Sequence, residues 1–269
     1  MWERVELKSK AKKFLSRFYV QAFFVSLLIM IVTGSNNGRG NGSNNGSGVN
    51  WRVPADGSGF IQSVGNEIAP FYLRLGMGIG IGLLILGFVI ALRVFLGYPL
   101  EVGGRRFFLK GAEGDTQMGY VGSLFKDENY MNVVVTMLYK GVLNFLFYLL
   151  LIIPGIIKSY AYAMVPYILS DNPSIDRSRA IELSEEMTMG HKFDMFVLDL
   201  SFLGWYILGA LAFGIGILFV NPYVDATHAQ LYIKLREIAF KANYATPAEL
   251  GLHNYETPES EDDWYTRIE

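Results

Sequence analysis

Residues 141–192 read GVLNFLFYLLLIIPGIIKSYAYAMVPYILSDNPSIDRSRAIELSEEMTMGHK. An apolar run enters, meets Pro154-Gly155, and resumes for about four more turns of helix. A turn at Asp171-Asn172-Pro173 follows, then an amphipathic segment that stops at Gly190. So long an apolar run beside a charged amphipathic helix predicts an all-α, polytopic helical membrane protein.

Composition agrees. The chain has 269 residues, 51% hydrophobic and 18% charged, with a mean hydropathy of +0.27. The charged share falls below the roughly 25% usual in soluble domains, and the apolar residues gather in blocks. A net charge of −2 argues against bulk nucleic-acid binding. With no cysteine there is no disulfide, thiol chemistry or cysteine-ligated metal.

Working outward, residues 1–17 are basic, and an apolar run extends from Phe18 to Val32. A signal peptide has this polarity, but its charged region is shorter and no A-x-A-like site follows. A retained first transmembrane helix with a cytoplasmic basic flank is expected. The Gly/Asn/Ser-rich tract within 34–69 reads as a flexible external loop. Residues 70–92 form the clearest span, with Gly76/Gly80 and Gly78/Gly82 as two GxxxG pairs. These permit close helix approach, within one protomer or across a homodimer. Residues 93–132 are polar and read as a cytoplasmic loop with short interfacial helices.

The apolar run from about Val133 to Leu169 is far longer than the roughly 20 residues one crossing needs. A helical hairpin broken at Pro154 and Gly155 is therefore expected. Residues 174–189 should form an interfacial helix capped by Ser174 and stopped by Gly190. The last apolar run, Phe193 to Val224, is again too long for one span and predicts a second hairpin bent near Gly214-Gly216. Returning Lys234, Arg236 and Lys241 to the cytoplasmic side gives about six membrane helices with both termini inside. Four full spans plus a re-entrant hairpin is the second arrangement. The chain then divides into a basic N-terminus (1–17), one membrane domain (18–241) and an acidic tail (242–269).

Four blocks carry a resemblance: PGIIKSYAYAMVPYILSDNP (154–173), the helix ending MGHK (189–192), LDLSFLGW (198–205), and Asn221-Pro-Tyr with Asp225-Ala-Thr. Over about residues 70–240 the chain resembles a bacterial integral-membrane family known as the domain of unknown function nine-seven-five. It is more distantly similar to the membrane domain of some glycerophosphodiester phosphodiesterases. The resemblance implies a polytopic helical fold in a bacterial cytoplasmic membrane, and no activity.

With three histidines there is no histidine-rich metal site, and H-E-x-x-H, Walker and G-x-S-x-G motifs are lacking. No catalytic residue and no cofactor is expected. What remains are polar residues at membrane depth, where charge is costly and marks pairing, water or function. Asn221, Asp225 and His228 recur at i, i+4 and i+7 on one helix face. With Asp199 and Lys158 they are candidates for a polar cavity between the hairpins. Three function classes follow: a non-enzymatic membrane protein binding lipid or a protein partner, a small transporter or channel-like protein using the cavity, and a lipid-modifying membrane enzyme. The expected partners are the lipid bilayer and a second copy or another membrane protein.

Overall fold

The computed structural model describes residues 3–33, 78–211 and 216–252. The chain divides into two compact units, Ser35–Arg93 and a larger one of Met1–Gly34 with Val94–Glu269. All regular structure among the described residues is helical. In the smaller unit, residues 78–92 form helix α2, which carries Gly78, Gly80 and Gly82; Gly76 lies outside the described residues.

The larger unit opens with α1, Arg4–Thr33. Its basic first half is amphipathic, and Leu7, Ala11, Phe14 and Leu15 enter the core at helical spacing. Within α1, Phe18 leaves helical geometry (φ −129°, ψ 27°). The basic segment is nonetheless part of the packed body: Phe14 meets Phe107 and Phe108 edge-on, at centroid distances of 6.4 and 6.1 Å. A π-helical turn, Arg93–Gly97, precedes α3, Tyr98–Ala112. Then come the one-turn α4, Gly119–Gly122, and a 3₁₀ turn, Ser123–Lys126.

The decisive stretch folds as α5, Tyr130–Leu150, α6, Ile152–Ala161, and α7, Val165–Asp171. The hairpin exists, but it reverses at Leu151, whose backbone is extended (φ −159°, ψ 143°). Pro154 lies in the first turn of α6, where its missing N–H costs nothing, so it marks a helix start and not the break. Gly155 serves the packing: a Cβ there would come within 2.5 Å of Tyr148 Cδ1 and 2.9 Å of Tyr148 Cα. The two arms touch because that side chain is absent.

Helix α8 is Arg177–Met187, shorter than the sequence-expected 174–189. Its N-cap is Asp176, which accepts from the backbone N–H of Ser178 and Arg179; Ser174 instead donates to Asn172. Its apolar residues Ala180, Ile181, Leu183 and Met187 are buried against α5, α7 and α10. The face turned outward is polar. Gly190 ends the segment with φ +80°.

Helices α9, Lys192–Leu211, and α10, Gly216–Lys241, make the second hairpin. Its turn lies outside the described residues, yet Gly209 and Gly216 lie against each other: a Cβ on Gly209 would fall 2.8 Å from the Gly216 carbonyl carbon.

Among the described residues, five helical segments are long and apolar enough to cross a membrane, within Arg4–Met30, Gly78–Ala112, Tyr130–Leu150, Ile152–Asp171 and Lys192–Leu211. Helix α10 is not one of the five; Asp225, His228, Lys234, Arg236 and Glu237 load it with polar groups. One of those groups ties the larger unit together. Arg236, 1% exposed, donates to Asp171 at the end of α7 and to Glu113 after α3, each at 2.8 Å. Tyr232 shares the same Asp171 oxygen at 2.8 Å, and Lys110 holds Glu113 at 2.9 Å.

Candidate functional site

Charges far apart in sequence converge where α3, α5, α6, α7, α9 and α10 meet. A cavity of about 230 Å³ is lined there by Glu101 and Arg105 of α3, Lys140 of α5, Tyr160 of α6, Tyr167 of α7, Asp199 of α9 and His228 of α10. Each side chain arrives for a local reason. Glu101 and Arg105 are four apart and share a face of α3. Tyr160 sits in the last turn of α6, where the Tyr162–Met164 break directs α7 back into the core.

Asp199 is the hub of one half. It accepts from the Tyr160 hydroxyl at 2.9 Å, and its other oxygen lies 2.7 Å from His228 Nε2. A carboxylate only accepts, so Nε2 carries the proton. Asp225 is the hub beside the cavity: Arg105 donates to one of its oxygens at 2.6 Å and Ser26 of α1 to the other at 2.5 Å. Arg105 also reaches the Tyr167 hydroxyl at 3.3 Å, and Tyr167 stacks on Tyr232 at 5.3 Å. The Arg105 Nε is buried without a hydrogen-bond partner.

Lys140 and Glu101 differ from these. Both line the cavity, yet among the described residues neither forms an ion pair or a hydrogen bond, with the other or with anything else. The two lie close enough to attract each other without forming an ion pair.

Of the sequence candidates, the structure brings Asp199 and His228 to the cavity and sets Asp225 behind Arg105. Asn221 lies one turn before Asp225 in α10, accepting from Tyr206 at 3.2 Å and donating to Met30 Sδ at 3.3 Å. Lys158 is elsewhere: it pairs with Glu185 of α8 at 2.6 Å, over the rings of Phe147 and Tyr162. Sequence reasoning missed Glu101, Arg105, Lys140, Tyr160 and Tyr167. The i, i+4 pair Glu101/Arg105 was the available signal. Among the described residues, no three His, Asp or Glu side chains gather as metal ligands would.

A family model described as "Protein of unknown function (DUF975)" matches residues 71–239. The chain belongs to that family. Every residue lining the cavity falls within the span matched to DUF975, as does the Arg236 network; Ser26 of α1 precedes it. No curated protein and no solved structure matches the chain.

Proposed function

We propose that this DUF975 protein is a non-enzymatic membrane protein whose cavity binds the zwitterionic headgroup of a lipid. The observation that carries the reading is the pair Lys140 and Glu101, opposite charges lining one cavity that, among the described residues, form no ion pair or hydrogen bond. An anionic phosphate would be received by Lys140 and an ammonium by Glu101. The aromatic ring of Tyr160 suits a cationic headgroup; Tyr167 already stacks on Tyr232 and carries Arg105 over its ring. A volume of about 230 Å³ falls below the 300–1,000 Å³ of drug-sized sites and suits a headgroup alone. No serine or threonine lines the cavity, and the Tyr160 hydroxyl is already committed to Asp199 at 2.9 Å.

The test is thermal unfolding of purified protein with lysophosphatidylethanolamine added. At about 100 times Kd, binding adds about 2.7 kcal/mol, or roughly 5–10 °C for a chain of this size. Lys140→Met should abolish the lipid-dependent rise. Equal melting of the wild type with and without lipid would sink the reading, as would a full lipid response in Lys140→Met.

One observation favours a second reading, a small transporter: the α6–α7 interruption at Tyr162–Met164 lies on the cavity wall, as broken helices do at transport sites. Ethanolamine phosphate accumulating in proteoliposomes would favour it over headgroup binding.

A further inference from the structure

The α5–α6 hairpin raises a question independent of the cavity's occupant: how deep can it go? Its tip is wholly apolar. Leu149, Leu150, Ile152 and Ile153 are each about 70% exposed, and no charged or amide side chain occurs from Phe145 to Ile157. A loop emerging into water on the far side of a bilayer would place that cluster in solvent, which is the opposite of what an exposed tip requires.

The base of the hairpin is fixed by charge. Lys158 is seven residues from Leu151, a rise of only about 10 Å along a helix. It is bound to Glu185 of α8, and α8 turns Asp176, Arg177 and Glu182 outward while burying its apolar residues in the protein. A helix with that surface lies in water. The tip therefore stands about 10 Å above a hydrated helix on one arm. On the other arm Lys140 is eleven residues from Leu151, about 16 Å. The hydrocarbon core is about 30 Å thick. Beyond Ala161 the helix is interrupted at Tyr162–Met164, and Val165–Ser170 of α7 pack inside the protein.

We infer that the α5–α6 hairpin is re-entrant: it enters and leaves through the face that carries α8, its tip at Leu151 stops near the bilayer midplane, and its partner is the acyl chains of that single leaflet. Each of the two segments is apolar enough to cross, yet geometry holds them to half the distance. Such a hairpin adds cross-section to one leaflet only.

The absence of native cysteine makes the test direct. Leu151→Cys and Ser178→Cys, the latter on the exposed face of α8, are reconstituted in proteoliposomes and treated with a membrane-impermeant maleimide from each side. The Ser178→Cys thiol should react on one side. The Leu151→Cys thiol should react from neither, and become reactive only in denaturant. A bimane attached to the Leu151→Cys variant should lose fluorescence to nitroxides near the acyl terminus more than to nitroxides near the headgroup. Reaction of the Leu151→Cys thiol from the side opposite that of Ser178→Cys would overturn the inference in favour of a full crossing. Reaction from the same side, or no quenching by any nitroxide lipid, would overturn it in favour of a tip in water or under a second copy. Ile153→Cys gives the same reading if Leu151→Cys fails to fold.

Discussion

Arg236→Met is the sharpest test of what holds the larger unit together. The guanidinium is 2% exposed and faces Asp171, whose side chain is 0% exposed. Met fills much of the same volume, so the loss is mainly electrostatic. Among the described residues, Asp171 would keep the Tyr232 hydroxyl and Glu113 would keep Lys110. Removing one partner of a buried ion pair costs about 3–5 kcal/mol. At roughly 2–4 °C per kcal/mol for a chain of this size, the melting temperature should fall by roughly 6–20 °C. Circular dichroism of the purified protein at its helical band is the assay. The second variant, Asp171→Asn, keeps an acceptor for Tyr232 and removes the charge that Arg236 would otherwise leave stranded. Combined with Arg236→Met it should restore about 0.5–3 kcal/mol relative to the sum of the single changes. A fall of less than about 2 °C for Arg236→Met, below the effect of a single kcal/mol, would refute the reasoning. So would strict additivity of the two changes.

Two further predictions rest on single groups. Burial pushes the Glu113 carboxyl up, but the charges and hydrogen bonds of Arg236 and Lys110 outweigh it and hold the group below the usual carboxylate range. A folded-state pKa below the unfolded value of about 4.3 means stability that is present above that pH and lost as pH falls through the folded value; thermal melts from neutral to acid pH should show a fall that Glu113→Gln makes shallower. Gly155→Ala would drive a Cβ to 2.5 Å from the Tyr148 ring and 2.9 Å from its Cα; backbone cannot swing aside, so a cost of about 1–3 kcal/mol is expected, read as a lower melting temperature, and a melt like the wild type would show that the arms are not in contact.

The pattern of apolar blocks made the helical class legible, because block length against helix rise is a local property. Local signals also erred locally. Pro154 looked like the break because proline interrupts helices, yet in a first turn it is harmless, and the reversal came three residues earlier at Leu151. Asp225 and His228 were legible as one face of α10, since helical spacing is written in the sequence. Their partners were not. Arg105 is 120 residues from Asp225 and Asp199 is 29 from His228, and no spacing rule reaches across a fold. The rule that an intramembrane charge needs a partner points Lys158 at the cavity, yet its partner is Glu185 of α8, 27 residues away. Glu101 and Lys140 carry no such signal: one lies in the polar stretch 93–132 and the other is an isolated charge early in the apolar run that follows.

The depth of the hairpin and the chemistry of the cavity constrain each other. Lys140 and Tyr160 stand on its two arms, eleven and nine residues from Leu151, which places the cavity wall about 13–16 Å from the tip. Half of a hydrocarbon core is about 15 Å. A tip at the midplane therefore sets the cavity at the level where lipid headgroups begin. A lipid with its phosphate at Lys140 would then have its chains beside Val142, Phe145, Leu146 and Leu149, all exposed along α5. If the hairpin instead crossed fully, the same charges would lie near the membrane centre, each unfavourable by about 2.5–3.5 kcal/mol on insertion scales. A headgroup site would make no sense there, and a buried passage for a polar solute would. The labelling of Leu151→Cys thus bears on more than topology, because its outcome decides which of the two readings of the cavity the bilayer permits.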